Sequence, residues 1–565
     1  IKPDLTPYTS MDEQKVDGKC IIKVTVMRGQ KRPYHISDKG LKPSAVFVRH
    51  GVSSVPVTEE AIRTMLKETD GVTFDKARCL NQELTFNYTK AVFQKQNVAF
   101  EDSNMKSLGL IDNDGYSVKY GELPELMKRI GEFVAPRSIV FNLCKNTVGS
   151  VIGYLGFVEK EAVPVTLNSK IDKELLDNLI ATYTPAYLWV PKEDLVSFSY
   201  EVLYEIYDYV LLKTGNEIYP INDKLQLLMT TSGSTGSPKL VRYKKGNLEA
   251  NAKNVAIAFG WTAAERPVCD LGMQYTMGLN VINTHLYVGA TLLLTTYNLF
   301  SGDFWDYVRE QKATNFTGVP FSYDIFYRLR FERMDLPHLT TLSQGGGKLT
   351  DARFKQLAEY ADRTGKRFIA SFGTTETSAR MACLPSELAL SKIGSIGRAI
   401  PNGELFLVDT EGNVIEETVA EGEMCYKGPN VTMGYAVCKE DLEKDDEFNG
   451  VYRTGDLARR DEDGCYFVTG RLSRFLKLLS YRVSLDQTER MIQQEFGIEC
   501  ACAGTDQRMN IYVTDGSKSK EIVDFLCEKL GMFKTLFKVF VIEEILRNDT
   551  GKIQYKKLDE IYAEK

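Results

Sequence analysis

The segment Leu228-Met-Thr-Thr-Ser-Gly-Ser-Thr-Gly-Ser-Pro-Lys239 runs from an apolar stretch into a loop of hydroxyl and glycine residues that ends in lysine. Such a loop offers backbone N–H groups, side-chain hydroxyls and a cation, a set suited to a polyphosphate. It lacks the Walker spacing, because Pro238 stands five positions after Gly233 where that pattern needs a second Gly followed by Lys. Ordinary P-loop ATPase and kinase readings are thereby excluded. Two acidic positions follow downstream, Glu376 in Phe372-Gly-Thr-Thr-Glu376 and Asp456 in Tyr452-Arg-Thr-Gly-Asp456, and a lysine closes the series in Thr550-Gly-Lys552. Each of these charges in isolation would be an ordinary solvated group. Their order along one chain, behind a phosphate-type loop, is what gives them chemical meaning.

Thr231-Ser-Gly-Ser-Thr-Gly-Ser-Pro-Lys239 resembles the phosphate-loop signature of the acyl-adenylating superfamily of acyl-CoA synthetases, peptide-synthetase adenylation domains and luciferases. Phe372 to Glu376 is similar to the family's aromatic-Gly-x-Thr-Glu motif, and Tyr452 to Asp456 to its Thr-Gly-Asp motif. Gly470-Arg471 with Lys477 and Arg482 resembles the hinge segment, and Thr550-Gly-Lys552 the segment of the C-terminal catalytic lysine. The five motifs keep the family's order over residues 116–565. The resemblance implies an AMP-forming acid–thiol ligase that uses ATP and Mg²⁺ to activate a carboxylic acid and passes the acyl group to a pantetheine thiol of CoA or a carrier protein.

The resemblance also assigns roles. Thr231, Ser232, Gly233, Ser234, Thr235, Gly236 and Lys239 would hold the β- and γ-phosphates, Thr375 would touch the α-phosphate, and Glu376 would ligate Mg²⁺, a hard ion that prefers oxygen. Phe372, followed by Gly373, would offer a flat face to adenine, and Gly345, Gly346 and Gly347 would let adenine and acyl groups approach the backbone. Asp456 would accept from the ribose hydroxyls, with Arg471 beside it. Lys552 would neutralise the oxygens that gain charge as a carboxylate attacks the α-phosphate and pyrophosphate leaves.

Some positions depart from the family pattern. Ser473 stands at the hinge where Asp or Lys is usual, and Ser480 stands where the following loop usually has Gly. A serine can still pivot, but the loss of Gly bears on how a pantetheine arm approaches. In Leu271-Gly-Met-Gln-Tyr-Thr-Met-Gly-Leu279 the substrate pocket is expected at Tyr275, Thr276 and Gly278. Thr276 occupies the place where amino-acid-activating relatives carry Asp. Without that carboxylate a buried α-ammonium would be costly, so a fatty, aromatic or hydroxy acid is expected. No basic cluster in the C-terminal region stands out for the 3′-phosphate of CoA, and a shortened region before the phosphate loop favours a carrier protein as acceptor.

Elements must position these groups across 565 residues, which at roughly 100–200 per domain predicts about three domains. Leu123, Leu126, Met127 and Ile130 fall at helical spacing, followed by a strand at residues 138–143, an apolar helix at 148–158, a strand at 162–167, a helix at 172–183 and a strand at 187–190. This alternation predicts crossovers and a parallel sheet. The expected fold class is α/β: a partial α+β module over residues 1–114, a large AMP-binding domain over 115–472 and a small mobile α+β domain over 473–565, pivoting at Ser473.

Eleven scattered cysteines without a C-x-x-C pair fit reduced thiols, so a cytoplasmic protein is expected. Four histidines at no ligand spacing leave His-based metal sites few candidates. No apolar run reaches the length of a membrane span, and no secretory signal is read in the opening residues. In the N-terminal part, alternating Cys20 to Met27 and Ala45 to Val48 read as strands and Thr58 as the N-cap of a helix. Lys31-Arg-Pro-Tyr34 with Val46-Phe-Val-Arg-His-Gly-Val-Ser-Ser54 resembles the back half of an Alba-like, Schlafen-type DNA-binding domain. Residues 1–110 hold 17 Lys and Arg against 13 Asp and Glu in a chain of net charge -6. These features leave open a second reading, a nucleic-acid-binding regulator with a ligase-like sensor portion.

Overall fold

The computed structural model describes residues 9–16, 19–26, 47–50, 53–56, 107–230, 239–472, 474–478, 481–548 and 551–563. The chain divides into two compact units, Ile1–Glu83 and Leu84–Lys565. The first contains two antiparallel hairpins, Thr9–Val16 with Lys19–Val26 and Phe47–His50 with Ser53–Pro56. Of the strand expected at Ala45 to Val48, Phe47 and Val48 lie in the second pair, and Ala45 and Val46 lie outside the described residues. Lys31 to Tyr34 and the helix expected after Thr58 lie outside the described residues.

The second unit is built on two large sheets. In one, the strands Tyr187–Pro191, Ile139–Cys144, Val163–Asn168 and Leu225–Thr230 run parallel. Antiparallel strands flank them, Tyr209–Lys213 and Glu201–Ile206 on one side and Leu240–Lys244 and Tyr435–Ala436 on the other. In the second, six strands run parallel in the order Arg367–Phe372, Thr341–Gln344, Asn315–Gly318, Pro267–Cys269, Leu292–Leu294 and Leu108–Asp112. It too has antiparallel edges, so both sheets are mixed where the alternation predicted a parallel one. The predicted helices form at Leu123–Glu132, Val148–Glu159 and Lys173–Tyr183, the last capped by the Asp172 side chain.

The helix Val148–Glu159 is buried along nearly its whole length, and it shares one core with strands of both sheets and with the helix Thr276–Val288. A helix apolar on every side belongs in that position. A four-stranded antiparallel sheet follows, Glu404–Val408, Ala420–Lys427, Val451–Arg460 and Tyr466–Arg471. The C-terminal part has its own core, in which Leu476, Val483, Ile492, Ile511, Ile522 and Leu526 pack the helices Leu485–Phe496 and Ser519–Leu530 onto a three-stranded sheet. This matches the expected α/β architecture of a large domain with a smaller α+β one. Among the described residues, no helix is long and apolar enough to cross a membrane.

Candidate active site

The candidate residues gather where parallel strands end, the usual place for ligands in open α/β sheets. The strand Arg367–Phe372 delivers Phe372, half-buried, and the chain then turns sharply. A Cβ on Gly373 would overlap the Ala379 carbonyl, so glycine alone lets the returning chain pass. Thr375, Glu376 and Thr377 form a single 3₁₀ turn, and Ser378 and Ala379 follow with φ of 57° and 94°. Non-glycine residues in that region are strained, and the turn is braced from outside. The Tyr243 hydroxyl donates to the Thr375 carbonyl at 2.7 Å, Asn430 Nδ2 to the Thr377 carbonyl at 2.7 Å, and the Thr432 amide to the Glu376 carbonyl at 2.9 Å.

This bracing aims the Glu376 carboxylate. Tyr435 donates to Glu376 Oε1 at 2.8 Å, and Lys239 Nζ lies 3.4 Å from the centre of the same tyrosine ring. Burial and the Glu376 charge push the Tyr435 phenol up, which keeps it a neutral donor. Lys239 and Glu376 thus meet the same tyrosine, one at its ring and the other at its hydroxyl. Thr231, Ser232, Gly233, Ser234, Thr235 and Gly236 lie outside the described residues, as do the expected hinge Ser473 and Ser480.

Asp456 is 2% exposed. Arg471 Nε donates to its Oδ1 at 2.8 Å, while Oδ2 is buried with no partner among the described residues. Burial raises the Asp456 carboxyl, and the Arg471 guanidinium and the Lys552 ammonium pull it back. A buried carboxylate oxygen with free lone pairs suits a ligand that brings hydroxyl donors, as a ribose does.

Lys552 comes from the C-terminal part in a tight turn, where the Asn548 amide donates to the Lys552 carbonyl and the Lys552 amide to Asn548 Oδ1, both at 2.9 Å. Gly551 in this turn has φ of 78°, and a Cβ there would lie 2.9 Å from Phe321 Cβ, at the start of the helix Pro320–Arg328. The loop is therefore seated on the large domain. That seat brings Lys552 within electrostatic reach of Arg471, Glu376 and Asp456. Crowding by protein and the Arg471 charge lower its ammonium pKa, and the two carboxylates oppose this.

The acyl side is less uniform. Thr276 begins the helix Thr276–Val288, with Oγ1 3.2 Å from the Tyr243 hydroxyl, and Tyr275 is its N-cap residue. A Cβ on Gly278 would overlap the carbonyls of Leu271 and Gly272, so this glycine serves close packing of helix on loop rather than facing the pocket side. Gly345, Gly346 and Gly347 continue the strand Thr341–Gln344, and Gln344 Nε2 donates to the carbonyls of Gly345 and Gly347. A Cβ at Gly345 would meet the end of the Met277 side chain and Ser371 Oγ. Among the described residues no three His, Cys, Asp or Glu side chains converge on a metal position. Glu376 is the residue that would offer Mg²⁺ a carboxylate.

Tyr243 and Tyr435, which brace the Thr375 turn and the Glu376 carboxylate, were not revealed by the motifs: both are tyrosines on unremarkable strands and carried no sequence signal. Arg380, just after this turn, did carry one: an arginine interrupting the run Ala379-Arg-Met-Ala-Cys-Leu384.

A model of the AMP-binding enzyme family matches residues 94–436, more than half of the sequence, and the chain belongs to that family. Oxalate–CoA ligase from Arabidopsis thaliana is 23% identical over 511 residues, 83% of this chain and 98% of that protein. 2-Succinylbenzoate–CoA ligase from Bacillus cereus strain Q1 is 27% identical over 352 residues, 60% of this chain and 71% of that one. The solved O-succinylbenzoate Coenzyme A synthetase from Bacillus subtilis, in complex with AMP, superimposes with a TM-score of 0.66 at 21% identity, covering 84% of this chain and 98% of that one. At that identity it is the fold that is shared.

Proposed function

We propose that the protein is an ATP-dependent carboxylate ligase that forms an acyl-AMP with release of pyrophosphate and then transfers the acyl group to a pantetheine thiol. The observation that carries this reading is the seating of the Lys552 turn, from the far end of the chain, on Phe321 of the large domain, which brings Lys552 within electrostatic reach of Glu376, Asp456 and Arg471. A protein that merely bound a nucleotide would have no need to carry a lysine there across two domains. In the first step a carboxylate oxygen attacks the α-phosphorus and the bond to pyrophosphate breaks. Lys552 and the Thr375 hydroxyl would meet charge on the oxygens around phosphorus, Asp456 would hold the ribose, and Glu376, oriented by Tyr435, would supply a carboxylate to Mg²⁺. The thiol then attacks the acyl carbonyl and AMP leaves.

The acceptor is read as CoA, because the Arabidopsis and Bacillus cereus relatives are named as CoA ligases. The sequence features that favoured a carrier protein leave that acceptor as the other arm of the test. The small domain would begin near Ser473 and swing about it between the two half-reactions. The match to an enzyme family lends no support to the nucleic-acid-binding alternative. ATP–pyrophosphate exchange across a panel of carboxylic acids, followed by thioester formation with CoA or with a pantetheinylated carrier, tests the reading. Exchange that depends on one class of acid is expected; exchange with no acid would overturn it.

A further inference from the structure

The layer between the helix Thr276–Val288 and the strands Asn315–Gly318, Thr341–Gln344 and Arg367–Phe372 is polar over much of its area. Asn280, Thr284 and His285 on the helix and Asn315, Thr317, Ser343 and Ser371 on the strands are all buried. Several satisfy one another: Thr317 Oγ1 lies 2.8 Å from Ser343 Oγ, and Ser371 Oγ donates to the Gln344 carbonyl at 2.7 Å. Thr284 Oγ1 and Asn315 Oδ1 are buried without a partner among the described residues.

Into this layer Arg380 extends its guanidinium, 1% exposed. Nη1 donates to Asn280 Oδ1, Nη2 to Thr317 Oγ1 at 3.4 Å and Nε to Ser371 Oγ at 3.3 Å, and the ring of Phe259 lies 4.9 Å away. Every one of these partners is neutral, two of the hydrogen bonds are long, and among the described residues no carboxylate forms an ion pair with Arg380. Burial lowers its pKa only to about 10, so it is a cation at neutral pH. An interior charge without a counter-charge is costly, and a guanidinium presents a planar fork that matches a carboxylate.

The position matters as much as the charge. Ser371 Oγ lies 3.0 Å from where a Cβ on Gly345 would be, and the Met277 methyl group crowds the same point. Arg380 is therefore one residue deep behind the glycine strand-end on the acyl side. Ser371, which accepts from Arg380 Nε, is the residue that links the guanidinium to that strand-end.

We propose that the acid is a dicarboxylic acid, with one carboxylate activated beside Thr375 and Lys552 and the second held by Arg380 in the polar layer behind Gly345. The proposal rests on the ligase reading above and names its substrate class.

The test compares pairs that differ in the second carboxylate, in pyrophosphate exchange by the full-length protein: malonate with propanoate, succinate with butanoate, and 2-succinylbenzoate with 4-oxo-4-phenylbutanoate. In at least one pair the dicarboxylate should be used with kcat/KM about 10²-fold higher or more, since a site that loses a built-in polar partner discriminates strongly. Arg380→Gln should collapse that ratio towards one, and Arg380→Lys should restore part of it. A second readout needs no chemistry: the thermal upshift given by the same dicarboxylate without ATP should vanish in Arg380→Gln. Equal use of both members in all three pairs by the unsubstituted protein would overturn the proposal and leave the ligase reading standing. Exchange with no acid would overturn the ligase reading, and the thermal shift would then decide the binding role of Arg380 alone.

Discussion

The two ends of the candidate site handle charge in opposite ways. At the nucleotide end charges of opposite sign are gathered, Asp456 paired with Arg471 and Lys552 within electrostatic reach of Glu376 and Asp456, and the groups come from two domains. At the acyl end one guanidinium sits in a layer of hydroxyls and amides with no opposite charge. The first arrangement could be taken apart and reassembled if the small domain swings as proposed, because each charge would keep a partner or reach water. The second is fixed in the interior of the large domain. It is complete only when a ligand brings the missing charge. The difference separates a region built for movement and transition-state charge from one built for recognition.

The largest expected effect lies on the movable side. Lys552→Ala removes a preorganised cation from the oxygens around the α-phosphorus, a change that typically costs about 10²–10³ in rate. Pyrophosphate exchange should fall by that factor, while acyl transfer from supplied acyl-AMP to the thiol should be largely spared, because little charge builds on phosphate oxygens in that step. Equal loss in both half-reactions would mean that Lys552 holds the small domain in place, and the contrast between the two ends of the site would weaken. Asp456→Asn comes next. Hydrogen bonds to a charged group contribute about 1.5–3 kcal/mol, so kcat/KM for ATP should drop by about 10- to 100-fold. The unsubstituted protein should also discriminate against 2′-deoxy-ATP, and the variant should do so much less. A variant that keeps full discrimination would remove Asp456 from the ribose.

Much of the scaffold was legible before any coordinates. The helix Leu123–Glu132 follows from apolar residues at i, i+3, i+4 and i+7, and the strand Ile139–Cys144, buried at every position, from an apolar run interrupted only by Asn142. The mixed character of the sheets was not. Glu201–Ile206 is a half-exposed edge strand with two glutamates, and the tight turn at Tyr207 and Asp208, with φ of 50° at Tyr207, uses neither Gly nor Asn. At the nucleotide end, motif order pointed to Glu376, Asp456, Arg471 and Lys552, and these are brought together. Arg380 escaped because a charge in an apolar run reads equally as a solvated break or a buried group, and only its neighbours decide. Gly278 was expected at the pocket from its place in the segment Leu271 to Leu279, and a Cβ there would meet the carbonyls of Leu271 and Gly272.

The smallest expected effect concerns the seam between the domains, where Lys348 donates to the Val468 carbonyl at 3.4 Å. Arg490 and Asp486 approach it from the helix Leu485–Phe496, Asp351 from the helix Asp351–Thr364 and Arg459 from the strand Val451–Arg460. Crowding by protein, then the Arg490 charge, lowers the Lys348 pKa to about 8 although its amine still reaches solvent. If the small domain swings away, Arg490 and Asp486 leave with it and the pKa should return towards the ordinary value of about 10.4. Closing would then disfavour the cation, so the penalty is fully present below pH 8 and fades as pH rises through 8 towards the open-state value. The pyrophosphate-exchange rate should accordingly rise between pH 7 and pH 9 by no more than about twofold from this group, since solvent screens an exposed charge. Lys348→Met should flatten that part of the profile and raise the rate at pH 7 slightly. Superimposable pH profiles for the variant and the unsubstituted protein would show that Lys348 keeps the same surroundings throughout the cycle, and that the seam, like the Arg380 layer, is a fixed part of the structure.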